Sequence, residues 1–461
     1  MKSDPSPILA TGAEVACQRL LIISPHWPPV NAPDLQRVRM SLSFYRQHGW
    51  EPVVLCVDAE DVSGTREPEL ELTYPPDIRI VRVRALPLRW THWFGLGNIG
   101  WRAWWSLQRT GAKLLRHEHF DLVFFSTTQF LTFALGPVWR WRFGVPYVID
   151  IQDPWRTDYY ERPGAPRPPG GWKYLMARAI ARILEEPVYR RAAGFISVSE
   201  PYLTALGIRY PWFGAKPQAT IRFGVSPTDF ARIRDHSVMG AVLNREPGKL
   251  HLLYTGASGP IMPHALNQLF GAFKRYTQQH PDRAARFHFH FFGTSYVPEG
   301  QGVPSVLPVA ATHGLAAQVT EIPHRLGHLE SLSLLLQADA LLLLGSSDRA
   351  YSPSKLYPYF LSGKPILSVV FHDSYLETIL AELNCSVVAA FDSGLPADAV
   401  MEPIHRFFDL ALAGFPSAEL PVRREELFNQ SFLAEILTRR QCSLFEQAIH
   451  AGGRCAVSAI T

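Results

Sequence analysis

The sequence predicts an α/β fold of two doubly wound domains in series, and three observations carry that expectation. The 461 residues exceed what a single core usually covers. Short apolar runs of strand size alternate with helical stretches, and the rhythm restarts near residue 252 after one full series. Hydrophobic residues make up 47% and charged residues 19%, a globular composition that excludes a largely disordered chain.

The first run, Leu20-Leu21-Ile22-Ile23, reads as a buried parallel strand, and Ser24-Pro25-His26-Trp27-Pro28-Pro29 after it holds too many prolines for a helix. Leu35, Val38, Leu42 and Tyr45 then share one helical face, and Gly49 stops the helix. A strand at 53–57 completes a βαβ unit, which closes right-handed in a parallel sheet. Further strands are expected at 78–83, 122–125, 147–149, 195–198 and 220–222. The second series falls at 252–254, 287–292, 319–322, 340–344, 366–370 and 386–389. A polar stretch between Ser226 and Lys249, with no strong period, marks the boundary. The expected divisions are a loose leader at 1–18, a first domain at 19–230, a second at 231–423, and a tail at 424–461 that packs back on the first domain. In that tail Phe428, Phe432, Ile436, Phe445 and Ile449 mark one long amphipathic helix or a pair.

Composition narrows the function classes. The net charge of +4, from 45 Lys and Arg against 41 Asp and Glu, is too even to argue for nucleic acid. The five cysteines are scattered, with no metal-like pair and no disulfide framework, which favours a reducing cytoplasm. No apolar run is long enough to span a bilayer, and residues 1–17 lack the basic start and apolar run of a signal peptide. Between Trp90 and Arg116, tryptophans Trp90, Trp93, Trp101, Trp104 and Trp105 are mixed with basic residues. Three readings stand: an interfacial surface among lipid headgroups, joined by a second basic helix near 172–191; core rings beside solvated arginines; or rings that stack on bases, which no nucleic-acid motif supports. The first would place the protein at the inner face of the membrane.

Four stretches, in order, resemble the GT-B glycosyltransferases with a family-4-like N-terminal domain, of the type found in bacterial polysaccharide assembly. They are LIISPHWPPVNAPDLQRV (21–38), FGVPYVIDIQDPW (143–155), GFISVSEPYLTAL (194–206) and ADALLLLGSSDRAYSPSKLYPYFLSGKPIL (338–367). The resemblance covers roughly residues 19–450. It implies two Rossmann-like domains facing a cleft, with an acceptor wall in the first domain and a nucleotide-sugar site in the second.

The fourth stretch has a physical reading of its own. A strand at 340–344 opens into a polar loop, and a helix begins near Ser354, a residue suited to an N-cap. The free N–H groups of residues 355–357, with Leu356 among them, would face a diphosphate over the strand ends, and Lys355 would add positive charge. The plain alternative is an ordinary capped helix with a surface lysine. Gly256 and Gly293 follow strands where close backbone approach to a ligand is useful, although many such turns carry glycine without one. Arg325 reads either as a nucleotide contact or as a solvated side chain. On the acceptor side the resemblance and the strand ends single out His26, Asn31, Asp150, Asp153 and Trp155. His26 and Asp153 are the candidate catalytic groups. Asp153 either orients an acceptor hydroxyl or donor sugar, or caps the turn before Pro154.

The pattern breaks in places. Pro358 stands where many members of the family carry a ribose-binding glutamate, and Ala350 stands near an upstream glutamate position. The family's "PNG" turn reads Arg222-Phe223-Gly224-Val225, and Gln152 replaces the histidine that often follows the fifth strand. The resemblance therefore implies metal-independent transfer from a nucleoside diphosphate sugar to a lipid-linked or polysaccharide acceptor, with no cofactor and no DxD motif. The departures keep a second reading open: a catalytically degenerate relative that binds a nucleotide sugar as a partner or regulator.

Overall fold

Continuous runs of Val, Ile, Leu and Phe form the strands, because helices cover both faces of a parallel sheet and leave no room for polar alternation. The computed structural model of the protein describes residues 17–91, 97–157, 171–235, 242–258, 262–295, 297, 299–346, 349, 353–392, 394–395 and 397–457. The first sheet contains β1 (Gln18–Ile23), β2 (Trp50–Val57), β3 (Arg79–Val83), β4 (Leu122–Ser126), β5 (Tyr147–Ile151), β6 (Gly194–Ser197) and β7 (Gln218–Thr220). Its order is β3-β2-β1-β4-β5-β6-β7. The second contains β8 (Leu250–Thr255), β9 (Phe287–Phe292), β10 (Val319–Ile322), β11 (Ala340–Leu344), β12 (Ile366–Phe371) and β13 (Val387–Phe391), ordered β10-β9-β8-β11-β12-β13. Every ladder is parallel. Strand order therefore reverses between β1 and β4, and again between β8 and β11. These are the two points where the loops after the strands part and leave a crevice.

Successive residues of β1 feed opposite cores, Leu21 and Ile23 on one side of the sheet, Leu20 and Ile22 on the other. The helices Trp104–His117 and Leu135–Phe143 and the end of Trp172–Arg191 cover the first side. The other is closed by residues 35–45 and the long helix Ala434–Val457, whose Phe445 ring lies 4.9 Å from Phe124 and 5.4 Å from Trp50. The tail is a pair of helices. The shorter, Glu425–Phe432, stacks Phe428 on Phe360 at 3.9 Å and Phe432 on Tyr357 at 4.7 Å, against the second sheet's core.

Three elements differ from expectation. The helix expected from Leu35 to Tyr45 is broken into Gln36–Ser41 and a 3-10 turn, Tyr45–His48, because Phe44 N closes early on Ser41 O at 2.9 Å. Gly49, at φ +77°, still ends the segment. The seventh strand ends at Thr220, since Arg222 leaves the ladder to lie over the Tyr375 ring at 4.8 Å. The polar stretch after Ser226 begins with a helix, Pro227–Arg234, whose Asp229, Phe230 and Ile233 are buried.

Candidate functional site

The β8/β11 crevice holds the best-formed part of the site. β8 is followed by Gly256 (φ +109°) and β9 by Gly293 (φ +72°), backbones that ordinary side chains rarely adopt. Against Gly256 lies Lys355. Its Nζ donates to the Tyr254 hydroxyl at 2.5 Å and sits 3.9 Å from the Tyr254 ring centroid. The Tyr254 hydroxyl in turn donates to Ala257 O at 2.9 Å. Withdrawal from water lowers the Lys355 pKa to about 7, because few protein partners replace the lost hydration. A Cβ on residue 256 would lie 3.1 Å from the ammonium, so glycine there leaves the lysine its place. A cavity of about 460 Å3 opens from this point and is walled by both halves of the chain. Thr255, Gly256, Gly293, Arg325, Ser354 and Lys355 line it from the second sheet, Asn31, Gln36 and Met40 from the first. Across it, Arg325 Nη2 reaches Asn31 Oδ1 at 3.4 Å.

The β1/β4 crevice has a different construction. Pro33 starts a short turn that carries Asp34 inward, where its carboxylate accepts from His26 Nδ1 at 2.8 Å, Thr127 Oγ1 at 2.8 Å and Thr128 N at 3.2 Å. Burial would raise the Asp34 pKa, but His26 and the Thr127 and Thr128 donors outweigh it and hold the carboxyl below its usual value. An ionised carboxylate only accepts, so Nδ1 of His26 carries the proton and Nε2 keeps its lone pair while the ring is neutral. Asp153 opens to solvent on one side; the protein wall behind it and the Asp34 carboxylate raise its pKa.

Charged contacts join the two halves. Asp229, fully buried, accepts two bonds from Arg39 at 2.7 and 2.8 Å and a third from His328 Nε2 at 2.8 Å. Burial opposes its charge, yet Arg39 and His328 hold the carboxyl far below the usual range. Glu67 reaches the start of the helix His328–Gln337 and accepts from His328 N and Leu329 N, both at 2.6 Å.

Of the residues singled out from sequence, Asn31, Gly256, Gly293, Arg325, Ser354 and Lys355 line one cavity. The others do not. Leu356 is 1% exposed and packs in the second sheet's core, since the helix turns that side chain inward. Asp150 turns Oδ2 to Arg37 at 2.8 Å, Ser126 at 2.8 Å and Gln152 at 3.0 Å, an internal ion pair of the first half, while its buried Oδ1 has no hydrogen-bond partner among the described residues. Gln152 also donates to Asp34 O at 3.0 Å, a structural task. Trp155 stacks on Phe130 at 6.0 Å and meets Tyr189, so its ring serves packing. His26 and Asp153 stand near Asp34 at the ends of β1 and β5 and do not themselves line the cavity, although Pro33, beside Asp34, does. Ser354 is not an N-cap: the helix is Leu356–Leu361, only six residues, with Lys355 at the cap position and no side-chain bond. Leu356 N and Tyr357 N already face Pro353 O and Ser354 O, at 3.3 and 3.4 Å. The expected row of free N–H groups is thus largely spent, and the charge of Lys355 is what remains. Pro358 lines the cavity, whereas Ala350 lies outside the described residues. Among the described residues His372, Asp373 and Glu377 bring ligand-type atoms within 4.8 Å of one another, away from the cavity lining.

Sequence reading missed Asp34, Glu67, Tyr254 and the Arg39–Asp229–His328 cluster. Asp34 carried one usable signal, an acid one residue after a proline at a helical start. The others bond across up to 289 residues of chain and left no local pattern.

Two parallel sheets, each with a reversal of order, and a cavity between them define the GT-B fold of glycosyltransferases. The N-terminal domain of trehalose-6-phosphate phosphatase from Candida albicans shares it, at 13% identity and a TM-score of 0.53, over 96% of this chain and 100% of that one. So do the α,α-trehalose-phosphate synthases (UDP-forming) of Burkholderia vietnamiensis (12%, TM-score 0.50, 95% and 100% covered) and Burkholderia xenovorans (11%, 0.51, 96% and 100%). Residues 36–210 match the family described as "Glycosyl transferase 4-like domain". No curated protein matches the chain by sequence.

Proposed function

We propose that the protein transfers a hexosyl group from a nucleoside diphosphate sugar to a hydroxyl of a lipid-linked or polysaccharide acceptor, without a metal ion. The observation that carries this reading is Lys355, a desolvated ammonium at the β8/β11 crevice beside two glycine turns and open to the interdomain cavity. A diphosphate supplies the counter-charge it lacks. The names of the two bacterial neighbours, UDP-forming synthases, support a nucleoside diphosphate as the leaving group.

In the reaction the bond from the anomeric carbon to the diphosphate oxygen breaks as the acceptor oxygen bonds to that carbon. Lys355 and Arg325 offset the charge that grows on the diphosphate. His26, held through Nδ1 by Asp34, takes the acceptor's proton on Nε2, and Asp153 orients the hydroxyl. A second reading rests on Pro358: with proline in the cavity wall where relatives carry a carboxylate, the chain would bind a nucleotide sugar without turnover.

A thermal-shift screen against UDP-, GDP-, dTDP- and ADP-sugars tests the donor site, since a ligand that binds only the folded state raises the melting temperature. A shift with one nucleotide class, lost in Lys355→Met, is the expected result. No shift with any of them overturns both readings, and a shift without nucleoside diphosphate release in the presence of acceptor extracts favours the second.

A further inference from the structure

The helices Trp104–His117, Leu135–Phe143 and Trp172–Arg191 lie side by side over one face of the first sheet. Their inner sides bury Leu107, Leu114, Trp139 and Tyr189. Their outer sides are unusual for a surface in water: Trp141 is 86% exposed, Trp105 73%, Ile183 70%, Leu175 59% and Trp172 57%. Single exposed apolar residues are ordinary, but rings and aliphatic chains repeated over adjoining helices are not. On the third helix Trp172, Leu175, Ala179 and Ile183 form one exposed stripe at helical spacing. On the first, Trp105, Arg109, Lys113 and Arg116 form another.

Charge points the same way. The three helices hold ten Lys or Arg and two Glu, an excess of eight in a chain whose net charge is +4. Of the two acids, Glu185 is buried against Arg209 and Glu186 pairs with Arg190. Tryptophan settles at the headgroup level of a bilayer, and arginine or lysine stems lie along apolar surface while their heads reach the phosphates. A protein partner has no need of such one-sided charge, and a nucleic acid has none of a Leu and Ile stripe. Among the described residues no helix is long and apolar enough to cross a membrane, so the contact is peripheral.

We propose that this three-helix face seats the protein on an anionic lipid surface. Each helix follows a parallel strand and runs back against it, so Trp105 and Trp172, near the helix starts, stand at the strand-end edge that also carries His26 and Asp34. A hydroxyl borne by a lipid would arrive at that edge. The face thus deepens the acceptor half of the transferase reading and rests on it for purpose, while the contact itself is measurable without turnover.

The test is co-sedimentation of the full chain with phosphatidylcholine vesicles, with and without phosphatidylglycerol. The protein is expected to pellet with the anionic vesicles and to be released by salt. Arg109→Gln with Lys113→Gln and Arg116→Gln should weaken partitioning about 100-fold. Trp105→Ser with Trp172→Ser should weaken it about tenfold. Both variants should keep the parent melting temperature and its nucleotide shift. Equal pelleting of parent and variants, no pelleting at all, preference for an oligonucleotide, or a dimer that the tryptophan variants dissolve would each overturn the proposal. Vesicle binding without any nucleotide shift would sink the donor reading alone, and the reverse would sink this one alone.

Discussion

At the β1/β4 crevice one carboxylate, Asp34, gathers a histidine, two hydroxyls and a backbone N–H, so its charge is answered by four donors. At the β8/β11 crevice one ammonium, Lys355, has a phenol and the face of its ring, and burial costs it enough to bring its pKa to about 7. The same topology thus carries a settled charge in one half and an unsettled one in the other. Under the proposed transferase reading, the first would orient the acceptor's base and the second would meet the donor's diphosphate.

The largest expected effect sharpens that contrast. Asp34→Asn keeps the shape but no longer fixes the His26 proton on Nδ1, and turnover should fall about 100- to 10,000-fold. The donor-induced thermal shift should survive, because Lys355 is untouched. Loss of that shift would show that the two crevices are not separable.

Stability should separate the two next. Asp34→Ala strands four donors and should cost about 1–3 kcal/mol in urea unfolding. Lys355→Met removes a poorly compensated buried charge and should change stability by less than about 1 kcal/mol while abolishing donor binding. If both variants destabilise equally, Lys355 is a structural lysine and the comparison fails.

The pH response follows from the lowered lysine pKa. Below about 7 Lys355 is charged and, at the proposed donor site, would attract a diphosphate; above it the free protein would first have to take up a proton to bind. Donor affinity measured by titration calorimetry should therefore weaken as pH rises from 6 to 8, by up to about tenfold per unit above the pKa. In Lys355→Met that slope should vanish. The smallest effect is expected from Gly256→Ala. It combines a left-handed backbone with a 3.1 Å approach to the ammonium and should cost about 1 kcal/mol, with weaker donor binding.

Buried parallel strands were the most legible part of the molecule, because a run such as Ala340–Leu344 is apolar at every position and all five residues are buried. Glycine turns were legible for a related reason, since only the backbone conformation decides them. Charge pairing was not. Asp150 looked like a cleft carboxylate from its place at a strand end, yet Arg37, 113 residues earlier, neutralises it inside the fold. Leu356 was misplaced by its neighbours: the residue before it faces the cavity, and helical geometry turns the next side chain to the core. Ser354 had the chemistry of a cap, but the helix starts two residues later. Partners separated by a hundred residues or more are set by topology, and no local period records them.

Glu67 ties the fate of one half to the other. Two backbone donors at the start of His328–Gln337 find their acceptor only in a loop some 261 residues earlier in the chain. A second half expressed alone would begin that helix with both donors bare, and a second half grafted from a relative would meet Glu67 with whatever geometry it inherited. An exchange of whole halves should therefore keep this helix start only where the retained first half still brings a carboxylate at position 67 to those two N–H groups. The contact between Glu67 and that helix start is in this sense a compatibility lock, one that constrains how such a chain can recombine.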